Sequence, residues 1–142
     1  MNYKRILLGG LVSGLIMNIG EAILHAAVLG NQTAQLYRTL QVPPPTEAAN
    51  MNILVLVTMT FFLGIIAVWL YAAIRPRFGG GTRVALFVGI VVWILAHLWS
   101  GIYLAAGYSG IIPAGLAWIP IVWGFFEAPL ATLAGAALYK EH

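Results

Sequence analysis

The sequence predicts an all-α fold: a four-transmembrane-helix bundle forming one membrane domain, residues 1–142, with both termini on the cytoplasmic side. Three observations lead there. Of the 142 residues, 61% are hydrophobic and only 8% charged. The apolar residues gather in four long stretches, and the basic residues fall almost wholly on one side of them. A soluble domain carries about a quarter charged residues, and a chain this small has too much surface for its volume to hide its apolar side chains from water. Lipid is the medium that accepts them.

A helix needs ~20 mostly apolar residues to cross a bilayer. Residues 6–29, 48–74, 84–106 and 116–139 meet that requirement. Gly30-Asn31 closes the first stretch, and Pro43-Pro44-Pro45 bars helix continuation ahead of the second. Arg75-Pro76-Arg77 and Gly79-Gly80-Gly81 end the second and turn the chain, with Thr82 as the expected N-cap of the third. Residues 30–47 form the outer loop, in which Leu36, Tyr37 and Leu40 suit a short amphipathic turn on the interface. The first stretch is longer than a signal-peptide core and is interrupted by Asn18 and Glu21, so it reads as a membrane helix.

Direction follows from lysine and arginine. If the spans alternate, Lys4, Arg5, Arg75, Arg77, Arg83 and Lys140 share one side and Arg38 alone takes the other. The same count argues against a dual-topology protein, which would need balanced charge.

Several function classes drop out. The chain has no cysteine, which removes disulfides, thiolate metal ligands and cysteine nucleophiles. It has no aspartate, so a serine–histidine–aspartate set is unavailable. Gly79-Gly80-Gly81-Thr82 lacks the lysine of a phosphate-binding loop. The net charge of +3 is small and scattered, with no basic run to bind nucleic acid.

Each helix reserves one face for small or polar residues. Gly10, Gly14, Asn18, Glu21 and His25 recur at helical spacing on the first, and Thr60, Gly64, Ala67 and Tyr71 on the second. The third presents Gly89, Trp93, His97, Ser100 and Gly101, and the fourth Gly124, Glu127, Ala131 and Gly135. Small residues let helices approach closely in lipid, which makes Gly10, Gly14, Gly64, Gly89 and Gly135 the expected packing positions. The costly residues would then converge on the interior as a buried polar layer of Asn18, Glu21, His25, His97, Ser100 and Glu127. An ionisable group near the bilayer centre costs about 2.5–3.5 kcal/mol on insertion scales, so such residues mark a function or pair with one another.

Three readings of that layer stay open. In the first, the polar groups satisfy one another and fix helix register, leaving an accessory or assembly subunit of a larger membrane complex, partnered by other membrane subunits or by itself. Alternatively Glu21, His25, His97 and Glu127 hold a divalent metal, or His25 and His97 ligate haem. In the third reading they relay protons or small solutes through an oligomer. The first reading is the leading expectation, and an enzyme the least expected.

The stretches Trp69-Leu70-Tyr71-Ala72-Ala73-Ile74-Arg75-Pro76-Arg77 and Ala131-Thr132-Leu133-Ala134-Gly135-Ala136-Ala137-Leu138-Tyr139-Lys140-Glu141, with the glycine-rich first helix, resemble a group of small, uncharacterised four-helix bacterial membrane proteins. The resemblance implies a bacterial inner membrane and supplies no activity. Glutathione transferases of the MAPEG type match in length and span number, but their Arg-x-x-x-Asn-x-x-Glu element is missing.

Overall fold

The computed structural model describes residues 1–43 and 48–141, apart from the side chains of residues 48–51. The second and third prolines of the Pro43-Pro44-Pro45 block, and the last four residues of the expected 30–47 loop, lie outside the described residues. Helix α1 covers Tyr3–Val28, α2 Gly30–Thr39, α3 Ala48–Phe78, α4 Thr82–Gly107 and α5 Ala114–Ala137. Among the described residues there is no strand, and α1, α3, α4 and α5 are long and apolar enough to cross a membrane.

The boundaries follow local chemistry, with three departures from expectation. Asn2 caps α1, its Oδ1 accepting from the Arg5 N–H at 3.2 Å. Gly30–Thr39, expected as loop, is helical, separated from α1 only by Leu29. Helix α3 runs through Pro76 to Phe78 instead of stopping before it; proline forfeits one hydrogen bond, tolerable near a helix end. The N-cap of α4 is Gly81, not Thr82. Gly81 has φ +114°, a conformation that excludes a Cβ at little cost only in glycine, and its N–H donates to the Tyr71 hydroxyl at 3.0 Å.

In lipid the hydrophobic effect does not drive helices together, so packing rests on close contact of small residues. Helix α1 packs between α3 and α5, and α4 packs on α5 and only lightly on α3. At the α1–α3 crossing a Cβ on Gly64 would strike the backbone of Gly10 and Gly14. Gly9 and Gly135 face each other backbone to backbone between α1 and α5, and Gly89 lies against Pro129 between α4 and α5. The remaining core is equally lean, with Ser13, Ala67, Val68, Ala72, Val88, Ala128 and Ala131 buried. The opposite faces are large and apolar: Leu7, Leu11, Leu15, Ile19 and Ile23 run along α1 every fourth residue, all exposed. Exposed apolar surface so extensive fits a bilayer and not water.

One end of the bundle gathers both termini and the α3–α4 turn. The Asn2 N–H donates to the Tyr139 hydroxyl at 3.4 Å, Tyr139 meets Tyr71 edge-on at 6.1 Å, and the Arg75 guanidinium sits 5.7 Å above the Tyr139 ring. Arg75 also lies 3.9 Å from Glu141. Lys4, Arg5, Arg75, Arg77, Arg83 and Lys140 all belong to segments at this end, whereas Arg38 is on α2 beyond the other.

Candidate functional site

Toward the α2 end, both α1 and α4 widen into a π-turn, at Leu24–Val28 and Ile94–Leu98 respectively. Each turn carries a histidine, His25 in the first and His97 in the second. A π-turn inserts an extra residue into the helical register and often marks a functional position. Side chains at both turns bond backbone carbonyls of their own helix. His25 Nδ1–H donates to the Glu21 carbonyl at 3.0 Å, and the Ser100 hydroxyl bonds the Ala96 carbonyl at 2.5 Å, with His97 O at 3.3 Å.

Between the helices at this level, Glu21 of α1, His97 of α4 and Glu127 of α5 each direct one ligand atom into a space where these atoms lie within 4.8 Å of one another. Glu21 is the hub. Its Oε1 lies 4.0 Å from His97 Nδ1 and its Oε2 3.3 Å from His25 Nδ1. Glu127 is the most enclosed, only 8% exposed. Its Oε1 accepts from the Trp123 Nε1–H at 3.4 Å, and its buried Oε2 has no partner among the described residues. A buried carboxylate oxygen without a donor is costly, and a cation or a proton bound at this carboxylate would offset that cost.

Two glycines make room for these side chains. A Cβ on Gly20 would collide with the Glu127 carboxylate, and one on Gly124 with the His97 ring. Trp93 secures the α4–α5 contact one turn from His97, donating to the Ile121 carbonyl at 2.8 Å and meeting Phe125 edge-on at 5.1 Å. Asn18 ties α1 to α3 by donating to the Val57 carbonyl at 3.3 Å, its amide also bonding the Gly14 carbonyl of its own helix at 2.9 Å.

The expected six-residue layer is therefore divided. Glu21, His97 and Glu127 come together, and half-buried Asn18 lies one turn along α1 with its amide committed to backbone. His25 is not buried: its side chain is 63% exposed, and it stands at the edge of the group against Glu21. Ser100 is exposed and stays apart, because its hydroxyl serves the π-turn carbonyls of its own helix. Gly20 and Trp123 escaped the sequence reading. Trp123 had a signal, its i, i+4 spacing from Glu127; Gly20 had only its place beside Glu21.

The group opens on a cleft of about 740 Å³ between α1, α3 and α4, lined by Asn18, Glu21, His25, His97 and Glu127 and by apolar residues of α3. A compact ion fits this donor set better than haem does. Both histidines approach the one Glu21 carboxylate, which stands where the macrocycle of a bis-histidine haem would have to lie. Comparison with family models, curated proteins and solved structures finds no match for this chain.

Proposed function

We propose that this small integral membrane protein binds a divalent metal ion between its helices, with Glu21, His97 and Glu127 as ligands and His25 hydrogen-bonded to Glu21 beside them. The observation that carries the reading is the convergence of donor atoms from three separate helices, Glu21, His97 and Glu127, within 4.8 Å of one another, one of them from a carboxylate whose Oε2 is buried without a hydrogen-bond partner among the described residues. Charge arithmetic supports it. Two ionised carboxylates inside a membrane are expensive, and a dication held by both is neutral overall. Metal–ligand bonds of ~2.1 Å place ligand atoms ~3–3.5 Å apart, so small side-chain shifts would close the group on an ion. Mixed imidazole and carboxylate donors without thiolate suit zinc, manganese or ferrous iron. Trp123, donating to Glu127, would orient that ligand as an outer-shell partner does, and His25 Nδ1, 3.3 Å from Glu21 Oε2, stands beside the other carboxylate. The accessory role expected from composition draws only on lipid-facing surface, which any membrane protein presents.

The reading places both termini in the cytoplasm, supported by six basic residues at their end against Arg38 beyond the other. A bacterial inner membrane follows from the resemblance of the Trp69–Arg77 stretch.

Elemental analysis of detergent-purified protein, stripped with chelator and re-equilibrated with zinc, manganese or ferrous iron, tests the site. About one ion per chain is expected, lost in Glu127→Gln and His97→Ala. A stoichiometry near zero for all three metals, or one unchanged by both substitutions, would overturn the proposal.

A further inference from the structure

The cleft is much larger than a metal ion requires, and its two walls differ. It follows α1 from Met17 to Ala26 and α3 from Ile53 to Leu63, a run of ~14 Å at 1.5 Å per residue. Glu21, His97 and Glu127 stand on the α1, α4 and α5 side. The α3 side is apolar except for Thr60, whose hydroxyl is engaged by the Leu56 carbonyl at 3.0 Å.

Beyond the Asn18–Val57 bond, the described side chains of α3, residues 52–56, are all exposed. Ile53, Leu54, Val55 and Leu56 make one complete turn, and they are 56%, 60%, 51% and 65% exposed. A helical turn exposed all round, one of whose residues also lines the cleft, leaves that cleft open sideways to the hydrocarbon. A lipid-soluble molecule can enter without crossing water.

The metal reading limits what such a molecule would carry. Three protein donors leave a four-coordinate ion one open position, and the α3 wall carries no charged side chain or imidazole to fill it. The two carboxylates already neutralise a dication, so an anionic head would restore an uncompensated charge in an apolar setting. We infer that the cleft takes a neutral lipophile from the bilayer, its alcohol or carbonyl oxygen completing the metal shell while its chain lies along Ile53, Leu56 and Leu63. This rests on the metal site proposed above.

Cobalt-loaded protein in lipid nanodiscs, titrated with dodecan-1-ol, provides the test, because the visible bands of cobalt respond to a new oxygen ligand. Wild type is compared with Leu56→Trp and Ile53→Trp, which narrow the cleft from its α3 wall and leave the ligand residues themselves unchanged; partitioning into lipid is then the same throughout. A saturable spectral shift, moved about tenfold to higher alcohol concentration in whichever of the two variants retains cobalt, is expected, with dodecane inert. Cobalt bound but no shift, or equal half-saturation in wild type and the variants, overturns this inference and leaves the metal site standing. Loss of cobalt from both variants would place these side chains in the metal site's support and also overturns it. Failure of wild type to bind cobalt removes both readings.

Discussion

The space for Glu127 depends on a hydrogen atom, the one that Gly20 carries in place of a side chain. Alanine there favours the helix by about 1 kcal/mol, yet its Cβ falls on the Glu127 carboxylate. Gly20→Ala should therefore unfold no more easily than wild type while binding metal ~10–100-fold more weakly, the usual scale for disturbing a ligand's support. Competition with a metal indicator would show it; unchanged affinity would mean that Glu127 is not held where a ligand must be. The same contact explains what sequence could and could not reveal. Spacing alone brought Glu21 and Glu127 onto interior faces, because helical periodicity is written in residue type. That a neighbouring glycine is the floor under a carboxylate depends on how α1 and α5 cross, which no single helix encodes.

At the level of elements, the four spans were legible because lipid imposes a minimum length and an apolar composition, and Gly10, Gly14 and Gly64 stood out at helical spacing. The π-turns were not legible. Counting at 3.6 residues per turn carries His25 and Ser100 inward with Glu21 and His97, whereas the π-turns at Leu24–Val28 and Ile94–Leu98 depart from that register, and His25 and Ser100 are both exposed. Thr82 and Pro76 misled for a related reason: a cap and a helix stop are preferences, and Gly81 with its positive φ and the Tyr71 hydroxyl settled the turn instead. The α1–α3 crossing makes a sharper prediction. A side chain at Gly64 has nowhere to go but into the Gly10 and Gly14 backbone, so Gly64→Val should destabilise the fold by about 2–3 kcal/mol. Gly107, with nothing near its Cβ position, should accept alanine with a change within about 0.5 kcal/mol. Denaturation in mixed micelles measures both, and equal stability of the two variants would contradict the crossing.

For the molecule as a whole, orientation is a matter of charge and not of packing. Helix contacts fix that the termini and the α3–α4 turn share an end, and they would be the same if the bundle were inverted in the membrane. The asymmetry comes from the basic side chains, and removing it should remove the preference. Because the chain has no cysteine, single cysteines report topology without background. In intact spheroplasts, Gln35→Cys on α2 should react with a membrane-impermeant maleimide, while Tyr3→Cys and Gly80→Cys should react only after permeabilisation. The reverse pattern would invert the assignment, and partial labelling at all three positions would indicate insertion in both directions. The orientation also bears on the site. The π-turns and His25 lie toward the α2 end, so an N-in protein would present the proposed metal site in the outer half of the bilayer. Metal loading of reconstituted vesicles from the α2 side should then outpace loading from the terminal side, where Tyr71, Tyr139 and the small-residue crossings close the bundle. Equal rates from both sides would mean that the ion reaches Glu21 by a route other than the cleft.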